Sequence, residues 1–265
     1  MRRSLVLAAA LIAAGCGSHD KTETGLGAVA GGTASGTAAS TAPVAYFHVD
    51  PTTAGTLSGS ITFAGSKLAR EAISMEAEQG CQQANAGKTV YNPAVLVGKK
   101  AGLANAFVYI QAGLEDKKFE PVKEPAVVLD QQGCMFLPRV IGLRAGQSLD
   151  LKNGDTVAHN VHPMPQNNRE WNQEQPPHAP DVEHRFARPE VMIPVKCNIH
   201  AWMHAWIGVV DHPYFAVTGP DGAFDWKNVP PGDYTISVWH EKLGTQEQKV
   251  HLAASGTAAV NFTYR

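Results

Sequence analysis

Seven residues of this 265-residue chain, Cys197-Asn198-Ile199-His200-Ala201-Trp202-Met203, set the tightest limit on its fold. A thiol, an imidazole and a thioether stand three residues apart. Side chains alternate faces along a continuous strand, which would send Cys197 and His200 to opposite sides, whereas an extended loop can turn all three donors to one point. The run therefore reads as a loop between two strands, Val191 to Lys196 before it and Trp206 to Val210 after it. Thiolate and thioether sulfur combined with imidazole nitrogen is a donor set that accepts both the softer Cu(I) and the harder Cu(II). A trigonal His2Cys plane with a weak axial Met needs one more imidazole from a distant segment. His159, in His159-Asn160-Val161-His162, is the candidate.

With Asn153-Gly154-Asp155 before His159, and with the Phe136-Leu137-Pro138-Arg139-Val140 and Gly146-Gln147-Ser148-Leu149 segments, this pattern resembles the copper-binding half of a cupredoxin. The resemblance covers residues 125–211 and implies a Greek-key β-sandwich with one copper per chain. By that match His159, Cys197 and His200 are equatorial ligands, Met203 is axial, and Asn160 ties the two ligand loops together. Ile199 replaces the proline that many of the family carry, and Lys196 replaces an aromatic residue, which bears on the tuning of the site. The plainer alternative is that Cys197 is half of a disulfide and the histidines lie scattered on the surface.

Arg2 and Arg3 precede the apolar run Leu5 to Ala14, too short for a mature transmembrane helix and laid out as a secretory signal. It ends in Ala13-Ala14-Gly15-Cys16, which resembles a bacterial lipoprotein signal with Cys16 as the lipidated first mature residue; the alternative is an ordinary signal peptide cleaved nearby. Either form is exported to an oxidising space, and lipidation implies the periplasm or cell surface with membrane attachment through the N-terminus. If lipid occupies Cys16, then Cys81, Cys134 and Cys197 remain, and one of them lacks an intrachain partner. Cys197 is the one with a use for a free thiolate, so a Cys81–Cys134 disulfide is expected.

Residues 17–53 are rich in Gly, Ala, Ser and Thr without apolar period and read as a flexible tether, with His19 and His48 in or beside it as solvated residues. The 22 basic and 24 acidic residues leave no nucleic-acid footprint. The rest reads as all-β. Leu57, Gly59, Ile61 and Phe63 alternate with polar residues, and Ala106 to Ile110, Ala126 to Leu129 and Val140 to Lys152 follow as β-rich runs between Gly, Pro, Asn and Asp. Only Leu68 to Gln79 carries a weak helical pattern. Residues 212–265, with Tyr234, Ile236 and Val238 facing one way, resemble a carboxypeptidase regulatory-like domain, a small transthyretin-like β-sandwich to which no chemistry attaches. Leu57-Ser58-Gly59-Ser60-Ile61 resembles the opening strand of such a module, so segment 54–124 can pair with it across an inserted cupredoxin.

His162, His204, His178, His184, Met164 and Met192 either hold a second copper or are solvated surface, and Pro163 to Pro180 reads as a long loop near the site. Trp202 and Trp206 either form an apolar docking surface around an exposed edge of His200 or fill core. His240 and Glu241 carry no functional reading. The leading expectation is a lipid-anchored single-electron carrier that takes electrons in through His200 from redox partner proteins of unknown identity. The paired histidine motifs of a copper oxidase or nitrite reductase are not found, so no enzyme is expected. The competing expectations are copper delivery with exchangeable metal and a structural β-protein without metal.

Overall fold

The computed structural model describes residues 44–66 and 68–265. The signal segment, Cys16 and the tether up to residue 43 lie outside the described residues. Runs of β-branched and aromatic residues interrupted by turn formers give strands β1 (Gly55–Phe63), β2 (Phe107–Ala112), β3 (Val127–Gln132), β4 (Met135–Leu137), β5 (Val140–Arg144), β6 (Ser148–Asn153), β7 (His159–Pro163), β8 (Gln173–Gln175) and β9 (Val182–Arg185). Then come β10 (Glu190–Lys196), β11 (His204–Val210), β12 (Phe215–Val217), β13 (Ala223–Val229), β14 (Gly232–His240), β15 (Gly244–Leu252), β16 (Thr257–Ala259) and β17 (Phe262–Tyr264). The run from Val140 to Lys152 is two strands, because Gly146 takes a positive φ of 85° at the turn between them. The protein is all-β apart from short helical turns such as α1 (Gln79–Ala84).

The helix expected over 68–79 does not form. That stretch offers no apolar stripe: Leu68 is 49% exposed and Met75 is its one fully buried apolar residue. Helix α1 starts where the expected one ends. Residues 44–53, placed in the tether by composition, lie along the fold instead. The Phe47 N–H donates to the Lys118 carbonyl at 2.7 Å, and its ring meets Phe119 edge-on at 5.6 Å.

Among the described residues, four sheets enclose two cores. The sheets β13-β1-β16, with β17 also on β1, and β12-β2-β14-β15 close over Leu57, Ile61, Val108, Ile236, Val238 and Phe262. β1 is antiparallel to β13 and parallel to β16 and β17, so the two ends of the described chain share one sheet. The sheets β5-β11-β10-β7-β8 and β4-β3-β6-β9, built from residues between β2 and β12, enclose Leu129, Phe136, Leu149, Val161, Ile193 and Ile207.

A third cluster around Phe107, Val140 and Val210 joins the two sandwiches. β5 and β11 run parallel with Gly142 beside Gly208. A Cβ at Gly208 would lie 2.5 Å from Phe107 Cζ, and one at Gly142 would lie 2.6 Å from Phe215 Cδ2. Neighbouring glycines thus leave a trough that two aromatic rings fill. Beside it Arg139 donates from Nε and Nη2 to the two carboxylate oxygens of Glu241 at 2.7 Å each, with both side chains nearly buried. Trp206 Nε1 also donates to Glu241, at 3.3 Å.

Candidate metal centre

His159 opens β7, and Cys197 follows the last residue of β10. The loop from Cys197 to Met203 closes through its own backbone: the Cys197 N–H donates to the Met203 carbonyl at 3.1 Å, and the Met203 N–H to the His200 carbonyl at 3.0 Å. That closure overrides strand alternation and turns Cys197 and His200 to the same side. His159 Nδ1 then lies 3.0 Å from His200 Nδ1, and Cys197 Sγ 3.9 Å from His200 Nδ1. The three donor atoms are all within 4.8 Å of one another, and the residues are buried. Metal–nitrogen bonds of about 2.0 Å and metal–sulfur bonds of about 2.3 Å put trigonal donors roughly 3.5 to 4 Å apart, so the spacing fits one metal ion. Met203 is fully buried in the same core.

The outer nitrogens of both imidazoles are engaged. His159 Nε2 lies 2.9 Å from Asp155 Oδ2. A donor at Nε2 leaves a lone pair at Nδ1, the tautomer a metal requires. Asp155 is held in turn by the two-residue turn between β3 and β4. Gly133 and Cys134 both take positive φ, 63° and 55°, and their successive N–H groups donate to the Asp155 carboxylate at 2.7 Å each. Consecutive amides of this geometry form an anion-binding concavity.

Burial works against the Asp155 charge, but the bonds from His159, Cys134 and Gly133 prevail and hold its pKa below the usual carboxylate range. Burial likewise opposes the Cys197 thiolate, yet His159 and the surrounding backbone N–H groups keep the thiol below its usual range. Burial alone would depress His159; the Asp155 carboxylate and the Cys197 sulfur reverse this and raise it. His200 moves the other way, lowered first by burial and then by His159.

Asn160 links the His159 and Cys197 segments. Its Oδ1 accepts the Asn198 N–H at 2.7 Å and lies 3.3 Å from Cys197 Sγ, while its Nδ2 donates to Asn172. Cys81 and Cys134 form a disulfide, and Cys197 is a free thiol. The edge of His200, expected to be exposed, is covered: the residue is 2% exposed because the Cys81–Cys134 bridge and α1 lie over it. Cys81 Sγ is 3.6 Å from His200 Nε2, and Glu78 Oε2 is 3.9 Å away.

The two tryptophans part company. Trp202 packs 5.2 Å from the His200 ring and donates to the Cys134 carbonyl at 3.0 Å, whereas Trp206 faces Trp239 at the sandwich junction. The remaining donors do not gather into a second centre among the described residues. His162 is taken up by Glu170 and Asn198, and His184 stacks on Trp171 at 3.8 Å. The other three-donor groups, Cys81/Cys134/His200 and Cys134/Asp155/His159, share members with the first. The anchoring of His159 by Asp155 is not visible in the sequence, because the partners of Asp155 at Gly133 and Cys134 are 22 and 21 residues away. Nor is the cover formed by Glu78 and α1, since nothing local places them over His200.

No protein-family model and no curated protein matches the chain. Among solved structures, a Cu-containing nitrite reductase from Thermus scotoductus SA-01 aligns at 21% identity over 38% of this chain and 25% of its own, with a TM-score of 0.31. A purple cupredoxin from Nitrosopumilus maritimus aligns at 17% identity over 32% of this chain and 99% of its own, with a TM-score of 0.28. An amicyanin variant in its oxidised state aligns at 19% identity over 34% of this chain and 86% of its own, with a TM-score of 0.29. This chain thus spans a quarter of the nitrite reductase's length, and at such scores the likenesses carry no functional weight.

Proposed function

We propose that this is an exported copper protein with one centre at His159, Cys197 and His200, Met203 being the weak fourth ligand, and that it passes single electrons between partner proteins. The observation that carries the reading is the convergence of two imidazole Nδ1 atoms and a free thiol sulfur on one buried point. Bound there, copper supplies one-electron exchange between Cu(I) and Cu(II). The chain's own residues keep the donors in place: Asp155 fixes the ring of His159, Asn160 ties the Cys197 loop to β7, and the Met203 amide closes that loop. Each donor is therefore positioned by a partner outside the centre, which suits exchange without rearrangement.

The disulfide is in keeping with an oxidising compartment, and the lipid anchor at Cys16 belongs to the proposal on the strength of the N-terminal motif. Carrier rather than enzyme is the preferred reading because the other donor groups among the described residues share members with this centre. Copper delivery is the second reading; the covered edge of His200 counts against it, since an acceptor must reach a ligand, and it equally removes the exposed edge through which the carrier was expected to take electrons. The test is to add Cu(II) to the chain and to Cys197→Ser, then record visible and electron paramagnetic resonance spectra. An intense visible band with narrow copper hyperfine splitting, lost in the variant, is expected. Absence of any thiolate-dependent band would remove the copper reading.

A further inference from the structure

The ligand site is closed by a piece of chain that belongs to neither sandwich sheet. Helix α1 has six residues, no side-chain cap at its N-terminus, and one buried residue, Cys81. A helix this short is not stable alone, and what fixes its position is the bond from Cys81 to Cys134. Cys134 sits at the turn that holds Asp155, and Trp202 caps its carbonyl, so this end of the bridge is rigid. Asn85 adds a hydrogen bond to the Gly133 carbonyl at 2.9 Å, and Gly80 lies so close to Val157 that a Cβ there would be 2.1 Å from Val157 Cγ1. On one side of the His200 ring are His159 and Cys197, at its flank is Trp202, and beyond Nε2 come Cys81 Sγ and Glu78, whose side chain is itself half-exposed. The route from solvent to His200 therefore runs through the cap.

We infer that the Cys81–Cys134 disulfide is a latch: the dithiol form admits metal past His200, and forming the bridge locks helix α1 over the loaded centre. Closing forms one S–S bond from two thiols, and the two electrons and two protons released pass to a disulfide-type oxidant, which leaves as a dithiol. Both sulfurs are buried once joined, which protects the closed form from reduction. The latch deepens the copper reading and rests on it for its purpose, because it makes the centre retentive. The closure itself is a property of the metal-free fold.

The test uses diethyl pyrocarbonate on the metal-free full chain, with peptide mass spectrometry to follow each imidazole. His48 and His251, with side chains 73% and 70% exposed, report full reactivity, while His159 and His240, both fully buried, report an intact fold. In the disulfide form His200 should stay unmodified. In Cys81→Ala/Cys134→Ala its modification should quicken by at least about tenfold, as local opening frees the helix, while His159 and His240 stay protected. Cys81→Ala alone, which breaks the bridge and leaves the Cys134 turn in place, gives the same reading should the double variant unfold. Equal His200 reactivity in the disulfide form and in a folded cap variant would overturn the latch. In parallel, copper-loaded protein is challenged with a chelator; faster copper loss from the double variant is expected. Failure of any form to bind copper would sink the copper reading while the labelling still decides the latch.

Discussion

Replacing Asp155 by alanine tests the link between the turn at Gly133 and the orientation of His159. The carboxylate accepts two backbone N–H groups at 2.7 Å and faces His159 Nε2 at 2.9 Å, all in buried surroundings. A hydrogen bond to a charged group contributes about 1.5–3 kcal/mol, and losing its acceptor leaves the donor unsatisfied. The two amides together therefore correspond to about 3–6 kcal/mol, less whatever an entering water restores. With a urea m-value of about 2 kcal/mol per M, the unfolding midpoint should fall by roughly 1.5–3 M. The second readout is metal affinity, because His159 loses the group that fixes its tautomer. Removing such a partner lowers affinity about 10- to 100-fold. Urea unfolding of the metal-free protein and competitive Cu(II) titration measure the two effects separately. A midpoint within a few tenths of a molar of wild type would refute the anion-cradle argument, and unchanged affinity in a folded variant would refute the orienting role.

Two further outcomes are expected. Glu241→Ala strands Arg139 as an unpaired buried charge at the sandwich junction and should cost about 3–5 kcal/mol in urea unfolding, whereas Arg139→Met with Glu241→Leu should recover most of that loss; equal stability of the two variants would contradict the buried-pair account. His240 is fully buried with Nε2 unpartnered, and burial pushes its pKa down from 6.5 to about 4. The unfolded chain then binds the extra proton first, so stability is kept above pH 6.5 and lost as pH falls towards 4, by about 3 kcal/mol from this group at 1.36 kcal/mol per unit. His240→Asn keeps an acceptor for the Lys242 N–H and removes the titration, so its stability should vary less with pH over that window than wild type's does.

What could be read in the sequence and what could not differ in range. Alternation in Leu57–Phe63 and Tyr234–Val238 is local, and both segments are strands with those residues inward. The three-residue spacing from Cys197 to Met203 is local too, and it states the loop before any partner is known. Cysteine counting gives a pairing but no position, so it could not place the Cys81–Cys134 bridge against His200. The cap was illegible for a physical reason: six helical residues with one buried side chain are shorter than any periodicity can register, and the weak pattern at 68–79 starts about three turns too early. Gly142 and Gly208 likewise become neighbours only once β5 and β11 pair, and the trough they form exists in neither strand alone.

Cys134 shows why local reading ends where it does. Its backbone sits in the left-handed region that disfavours a side chain, at φ 55°, beside Gly133 at 63°. Sequence gives no reason for a cysteine there. In the fold its N–H holds Asp155 and through it His159, its carbonyl holds Trp202, and its sulfur holds Cys81 over His200. One residue thus joins the groups that position one histidine to the group that covers the other. Disturbing the turn should therefore move both histidines, whereas removing Cys81 alone should uncover His200 and leave the Asp155–His159 pair in place.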